Sequence, residues 1–154
     1  MKLIPLSGKR GTGKFASVDD EDYDLLVKKR WHYASYGYAA IDVEKKKEYM
    51  HRLIMGNPKD MEVDHIDGDK LNNTKENLRI CSRLQNARNT KPQRGTSVYK
   101  GVSWCKVASR WMATIWLNGK GVYLGLFHNE SDAANAYDDA ARLHFGEYCR
   151  TNFK

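Results

Sequence analysis

Asp64, His65, Asn77 and Asn86 are the residues whose types and spacing could do chemistry. Asp64 and His65 are adjacent, and Asn86 follows His65 by 21 positions. A carboxylate and an amide oxygen beside a neutral imidazole can hold a hard divalent cation and activate a water. An isolated Asp-His pair is more often a surface ion pair, and it is the elements around this one that point to chemistry. Glu62-Val63-Asp64-His65-Ile66 reads as a strand, and an Asp/Asn/Gly-rich loop runs on to Asn73. Asn77-Leu78-Arg79-Ile80 reads as a second strand, and Ser82-Arg83-Leu84-Gln85 spells a capping box that opens a helix carrying Asn86. In such a strand–loop–strand–helix unit the helix packs across the hairpin and returns Asn86 toward Asp64.

Two other motifs fail on inspection. Gly8-Lys9-Arg10-Gly11-Thr12-Gly13-Lys14-Phe15 nearly spells a phosphate loop, but Phe15 stands where a metal-binding hydroxyl is required. A basic turn able to touch backbone phosphates is the better reading. Asp64-His65-Ile66-Asp67-Gly68-Asp69 does not place oxygens at the first, third and fifth positions with glycine at the sixth, which excludes a calcium-binding EF-hand loop.

The chain has 154 residues, with 26 Lys and Arg against 19 Asp and Glu, a formal charge of +7. This balance favours a polyanionic partner. Between Glu76 and Glu130 there is no acidic residue, while Arg79, Arg83, Arg88, Lys91, Arg94, Lys100, Lys106, Arg110 and Lys120 are all basic. Three of the four tryptophans fall in the same stretch, as expected of a surface that meets phosphate. No apolar run is long enough to span a membrane, and the N-terminal apolar stretch is too short for a signal peptide. Cys81, Cys105 and Cys149 are odd in number and widely spaced, which suggests neither a disulfide framework nor a zinc site. A reducing, cytoplasmic setting is expected.

Residues 1 to 18 read as a small hairpin, and Asp19 to Asp22 open a short helix ending at Lys28, Lys29 and Arg30, with Tyr23, Leu26 and Val27 on one face. Trp31 to Val43 and Glu48 to Met55 read as strands. Residues 91 to 97, polar and carrying Pro and Gly, read as a linker. Beyond it, Asn118-Gly119 predicts a type I′ hairpin between Arg110–Leu117 and Lys120–Leu124. The register then sets Ile115 opposite Val122, Thr114 opposite Tyr123 and Ala113 opposite Leu124. One face collects Trp111, Ala113, Ile115, Val122 and Leu124 as core; the other collects Arg110, Met112, Thr114, Trp116 and Tyr123 as a contact surface. A helix follows from Glu130 with an alanine-rich apolar stripe, and Asp132, Asp138 and Asp139 are expected on its outer face.

The first ninety residues resemble the HNH endonucleases of phage and mobile-element homing type. The likeness rests on Asp64-His65, on Asn77 within Glu76-Asn77-Leu78-Arg79, and on Asn86 within Gln85-Asn86-Ala87-Arg88-Asn89; His51-Arg52-Leu53-Ile54 extends it less specifically. Asn86 stands where the last H of the name would be. The resemblance implies a ββα-metal fold in which His65 is the general base, Asp64 and Asn86 hold Mg²⁺ or another divalent cation such as Mn²⁺, and Asn77 fixes the loop that orients His65. Residues 98 to 153 resemble the apetala-2/ethylene-response-factor DNA-binding domain. The likeness rests on Tyr99-Lys100-Gly101-Val102, Tyr123-Leu124-Gly125-Leu126-Phe127, the run Ala133 to Ala141, and Asn152-Phe153. That family implies a three-stranded sheet backed by one helix, with the sheet in the major groove. Positions that read bases with arginines in the plant proteins are here Ser103, Cys105, Trp116 and Gly121, so their sequence preference does not transfer.

These readings combine into an α+β, two-domain enzyme: a nuclease domain over 1–90 with its core at 60–90, a linker at 91–97, and a DNA-binding domain over 98–154. The expected activity is metal-dependent hydrolysis of double-stranded DNA by a monomer. Expected DNA contacts are Arg79, Arg83, Arg88, Lys100, Ser103, Trp104, Arg110, Met112, Thr114, Trp116 and Tyr123. The alternative is a non-catalytic DNA-binding regulator that retains a nuclease-like module.

Overall fold

The computed structural model describes residues 1–90 and 95–153. The chain is α+β and divides into two compact units, Met1–Asn86 and Ala87–Lys154.

The first unit begins with an antiparallel hairpin, β1 (Lys2–Pro5) and β2 (Phe15–Val18). Its inward residues Ile4, Ala16 and Val18 enter a core shared with Leu6, Leu26, Trp31, Ala39, Ile41 and Met50. Trp31 is 1% exposed, and burial is tolerated because its indole N–H donates to the Leu26 carbonyl at 2.8 Å. The helix α1 (Asp20–Leu26) carries Asp20, Glu21 and Asp22 in its first turn. It stops two residues before Lys28, the first of the cations expected to close it, and Val27 is left exposed rather than sharing the buried face of Leu26.

A second sheet, β3 (His32–Tyr33), β4 (Ala39–Val43) and β5 (Lys46–Tyr49), is antiparallel in that order. Here the sequence reading needs correction: Glu48 to Met55 is not one strand. The strand ends at Tyr49 and Met50–Ile54 is a helix, α2. Met50, Leu53 and Ile54 pack into the core at helical spacing. Five residues are too few for periodicity to separate that pattern from a buried strand.

The third element pair is β6 (Glu62–His65) with β7 (Leu78–Cys81), in register Glu62↔Cys81, Val63↔Ile80, Asp64↔Arg79 and His65↔Leu78. The helix α3 (Arg83–Arg88) follows. Its capping box is complete: the Ser82 N–H donates to Gln85 Oε1 at 2.8 Å, and the Gln85 N–H donates to Ser82 Oγ at 3.2 Å.

The second unit is an antiparallel sheet, β8 (Val102–Cys105), β9 (Arg110–Leu117) and β10 (Lys120–Phe127), with β9 central and the helix α4 (Glu130–Phe145) packed on it. Of the expected linker, residues 91–94 lie outside the described residues. Thr96 and Ser97 are bonded within the second unit: Thr96 Oγ1 accepts from the Trp104 N–H, and Ser97 Oγ donates to Glu130.

The Asn118-Gly119 turn gives the expected pairs from Leu117↔Lys120 through Thr114↔Tyr123, with φ of 51° and 78° at the two turn residues. The register then shifts, and Ala113 pairs with Gly125 rather than Leu124. A bulge at this point inserts one residue and re-aims the strand. Val122, expected in the core, is 40% exposed. Ala113, Ile115, Ala133, Ala134, Tyr137 and Ala141 are buried between sheet and helix. Helix and sheet approach closely at Gly101, where an added Cβ would fall 1.9 Å from the Tyr137 ring.

Asp138 is also corrected. It is 1% exposed, on the inner side of α4, and accepts hydrogen bonds from the backbone N–H groups of Asn152 and Phe153 and from the Asn152 side-chain amide. The carboxylate ties the C-terminal segment to the helix instead of repelling a polyanion.

Candidate active site

His65 lies at the end of β6 and Asp64 one residue before it, both buried, at 4% and 7% exposure. Asp64 faces its ladder partner Arg79, whose Nη2 and Nε both donate to Asp64 Oδ2, at 2.7 and 3.0 Å. Glu62, on the same face of β6 as Asp64, accepts a hydrogen bond from the Asn86 side-chain amide. That bond orients Asn86, with its Nδ2 directed at Glu62. Asp64, Glu62 and Asn86 all carry side-chain oxygens, the donor type that a hard divalent cation takes. Among the described residues no cluster of three or more His, Cys, Asp or Glu side chains is placed to hold a metal by itself.

The loop between the strands is organised by Asp67. Its Oδ1 accepts from the Asp69 N–H and from Asn77 Nδ2, and its Oδ2 accepts from Asn72 Nδ2. Asn77 in turn accepts the Asp67 N–H at its Oδ1 and donates to the Asn72 carbonyl. Asn77 is thus a loop brace, 8% exposed, and it spans the turn immediately after His65. Burial alone would raise the Asp67 carboxyl, but the hydrogen bonds from Asn72, Asp69 and Asn77 outweigh it and hold the group below its usual range.

His65 Nε2 stands 3.3 Å from Asn73 Oδ1. Its ring meets that of His51 edge-on at 5.0 Å, and Tyr38 lies against both, at 4.9 Å from His51 and 5.9 Å from His65. Burial lowers the His65 pKa below the usual histidine value, against opposing contributions from Asn73, Asp67, Asp64 and Asp69. His51, 6% exposed, is pushed down to about 3 by burial first and then by the charges of His65 and Arg52. Its Nδ1 has no hydrogen-bond partner among the described residues. Both imidazoles are therefore neutral at neutral pH.

The remaining candidates divide by exposure. Arg83 is exposed on α3 and Arg88 half-buried, its guanidinium 4.4 Å from the Phe145 ring. Lys100 is half-buried and donates to the Arg88 carbonyl; burial lowers its pKa to about 8. On the sheet, Arg110, Trp116 and Tyr123 are exposed, the last two at 69% and 59%, while Ser103, Met112 and Thr114 are half-buried. Trp104, 39% exposed, packs edge-on against Trp111 at 5.1 Å.

Residues 48–88 match the HNH endonuclease family model. An uncharacterized HNH endonuclease of Acanthamoeba polyphaga mimivirus is 33% identical over 150 residues, covering 93% of this chain and 77% of the relative.

The chain belongs to the HNH endonuclease family.

This HNH endonuclease is also 42% identical over 64 residues to Protein 3.8 of Escherichia phage T7, covering 41% of this chain and 53% of the phage protein. A third similarity is to APETALA2-like protein 2 of Oryza sativa, 42% identical over 62 residues; it covers 40% of this chain but 14% of the plant protein. As an HNH endonuclease the protein is a nuclease, hence a hydrolase. No helix among the described residues is long and apolar enough to cross a membrane. Sequence reasoning gave no role to Tyr38, Glu62 or Asn73, and His51 entered only through a short resembling run. Asn73 lies at the end of an Asp/Asn/Gly-rich loop, where nothing in the sequence signals complete burial.

Proposed function

We propose that this HNH endonuclease is a homing-type enzyme that hydrolyses phosphodiester bonds in double-stranded DNA with a divalent cation, Mg²⁺ or another such as Mn²⁺. His65 is the general base toward the attacking water, Asp64 and Asn86 are the cation ligands, and Asn77 fixes the loop that orients His65. The cation, when bound, stabilises the charge that develops on the phosphate and on the leaving oxygen. The observation that carries the reading is the neutral, buried His65 one residue from Asp64, with Asn86 oriented by its hydrogen bond to Glu62. His65 takes the proton from water because its lone pair is not already protonated at neutral pH. The exposed Arg110, Trp116 and Tyr123 of the second unit, with Arg83, grip the duplex.

Plasmid cleavage with Mg²⁺, Mn²⁺ or EDTA, run beside a gel-shift assay, tests this. His65→Ala is expected to lower cleavage by ~10² or more while binding persists. Cleavage of His65→Ala at the wild-type rate, or undiminished cleavage in EDTA, overturns it.

A further inference from the structure

Asn73 is fully buried, 0% exposed, in the loop between β6 and β7. Three hydrogen bonds fix it. Its backbone N–H donates to the Ser17 carbonyl at 2.8 Å, its Nδ2 donates to the Leu71 carbonyl at 3.0 Å, and its Oδ1 lies 3.3 Å from His65 Nε2. A backbone carbonyl can only accept, so the amide end that faces Leu71 must be the NH₂ group. The end that faces His65 is then an oxygen, which also only accepts. His65 Nε2 must therefore supply the hydrogen. A neutral imidazole carries one N–H, so the lone pair resides on Nδ1.

We propose that Asn73 is a positioning residue for His65: it selects the Nε2–H tautomer and so makes Nδ1 the nitrogen that accepts a proton from water. The selection originates outside the loop. Ser17 on β2 accepts from Asn73 and, through its own N–H, donates to the Leu71 carbonyl at 2.9 Å, the same oxygen that holds the Asn73 amide. The N-terminal hairpin, which precedes the residues that match the family model, thus sets which way the Asn73 amide points. This rests on the reading of His65 as general base, but the tautomer can be read without cleavage.

The test is long-range ¹⁵N–¹H correlation of the His65 imidazole in the full chain, metal-free and at neutral pH, with kcat and KM for plasmid cleavage measured in parallel. The wild-type protein is expected to show Nε2–H. Asn73→Leu removes the acceptor; it is expected to give mixed tautomers and a kcat lower by about tenfold or more, with KM nearly unchanged. Asn73→Asp keeps an acceptor toward Nε2 and is expected to restore the Nε2–H form and most of kcat. An Nδ1–H tautomer in the wild-type protein overturns the proposal, and that measurement decides even if Asn73→Leu does not fold. A folded Asn73→Leu with pure Nε2–H and wild-type kcat also overturns it. Failure of the base assignment is recognised separately, as wild-type cleavage by His65→Ala with the wild-type tautomer still Nε2–H.

Discussion

Asp64 and Arg79 face each other across the β6–β7 ladder, and both guanidinium donors converge on one carboxylate oxygen. The proposed cation ligand is therefore already neutralised by a side chain of the same hairpin, whose side-chain exposure is 12% against 7% for Asp64. Removing one partner of such a buried pair costs ~3–5 kcal/mol. Arg79→Gln is expected to lose stability on that scale in metal-free urea unfolding. Because a divalent cation at Asp64 supplies the missing positive charge, Mg²⁺ should raise the Tm of Arg79→Gln more than that of the wild type. Equal shifts in the two proteins would separate Asp64 from cation binding.

The buried imidazoles predict a pH dependence of stability. His51 and His65 have folded pKa values below the usual ~6.5, His51 at about 3. Between those limits the unfolded chain binds protons that the folded chain refuses. Stability is thus fully present above pH 6.5 and declines as pH falls below it, by up to ~1.4 kcal/mol per pH unit for His51, with His65 acting in the same direction. His51→Phe keeps a ring against Tyr38 and His65 but cannot titrate. Metal-free urea melts at pH 7.5 and pH 5 should show a smaller loss for the variant; an equal loss would assign the effect elsewhere.

Register in the second unit is checked by neighbours on β9. Ile115 is 1% exposed and Trp116 is 69% exposed. Ile115→Ala is expected to destabilise by about 2–5 kcal/mol, whereas Trp116→Ala should stay within ~0.5 kcal/mol of wild type. Trp116→Ala should instead raise the Kd for duplex DNA about tenfold, the scale of a lost aromatic contact at an interface. Unchanged Kd would remove this face from the DNA contact.

Asp138→Ala should strand the N–H groups of Asn152 and Phe153 that its carboxylate now accepts. A loss of about 2–4 kcal/mol is expected, since hydrogen bonds to a charged acceptor are worth more than neutral ones. Asp139→Ala, exposed one residue along, is the control and should be nearly silent. Chemical denaturation of both variants checks the difference.

What the sequence made legible follows from how local each signal is. The capping box Ser82/Gln85 and the Asn118-Gly119 turn are each written within four residues, and both form as expected. The helix Met50–Ile54 was misread because five residues carry no period, and the bulge at Leu124 because nothing in Tyr123-Leu124-Gly125 distinguishes a slip from a continued ladder. Asp138 was placed outside because a charged residue in a helix is ordinarily solvated; its partners, Asn152 and Phe153, lie beyond the helix. Around His65 the spacing brought out Asp64, Asn77 and Asn86, but not the groups that surround His65. Tyr38, His51 and Asn73 gather there through contacts that are non-local, and Ser17 is 56 positions from Asn73.

That separation also bears on the order in which the protein becomes itself. Ser17 and Leu71 must meet before the β6–β7 loop has its final hydrogen bonds, and closing so long a chain segment is the slow, entropically costly kind of contact. On a ribosome, β1 and β2 emerge early and wait for residues 71–75. The hydrogen bonds that fix the β6–β7 loop beside His65 thus need both the N-terminal hairpin and residues 71–73, so a partly made chain that ends before Leu71 holds the hairpin without them.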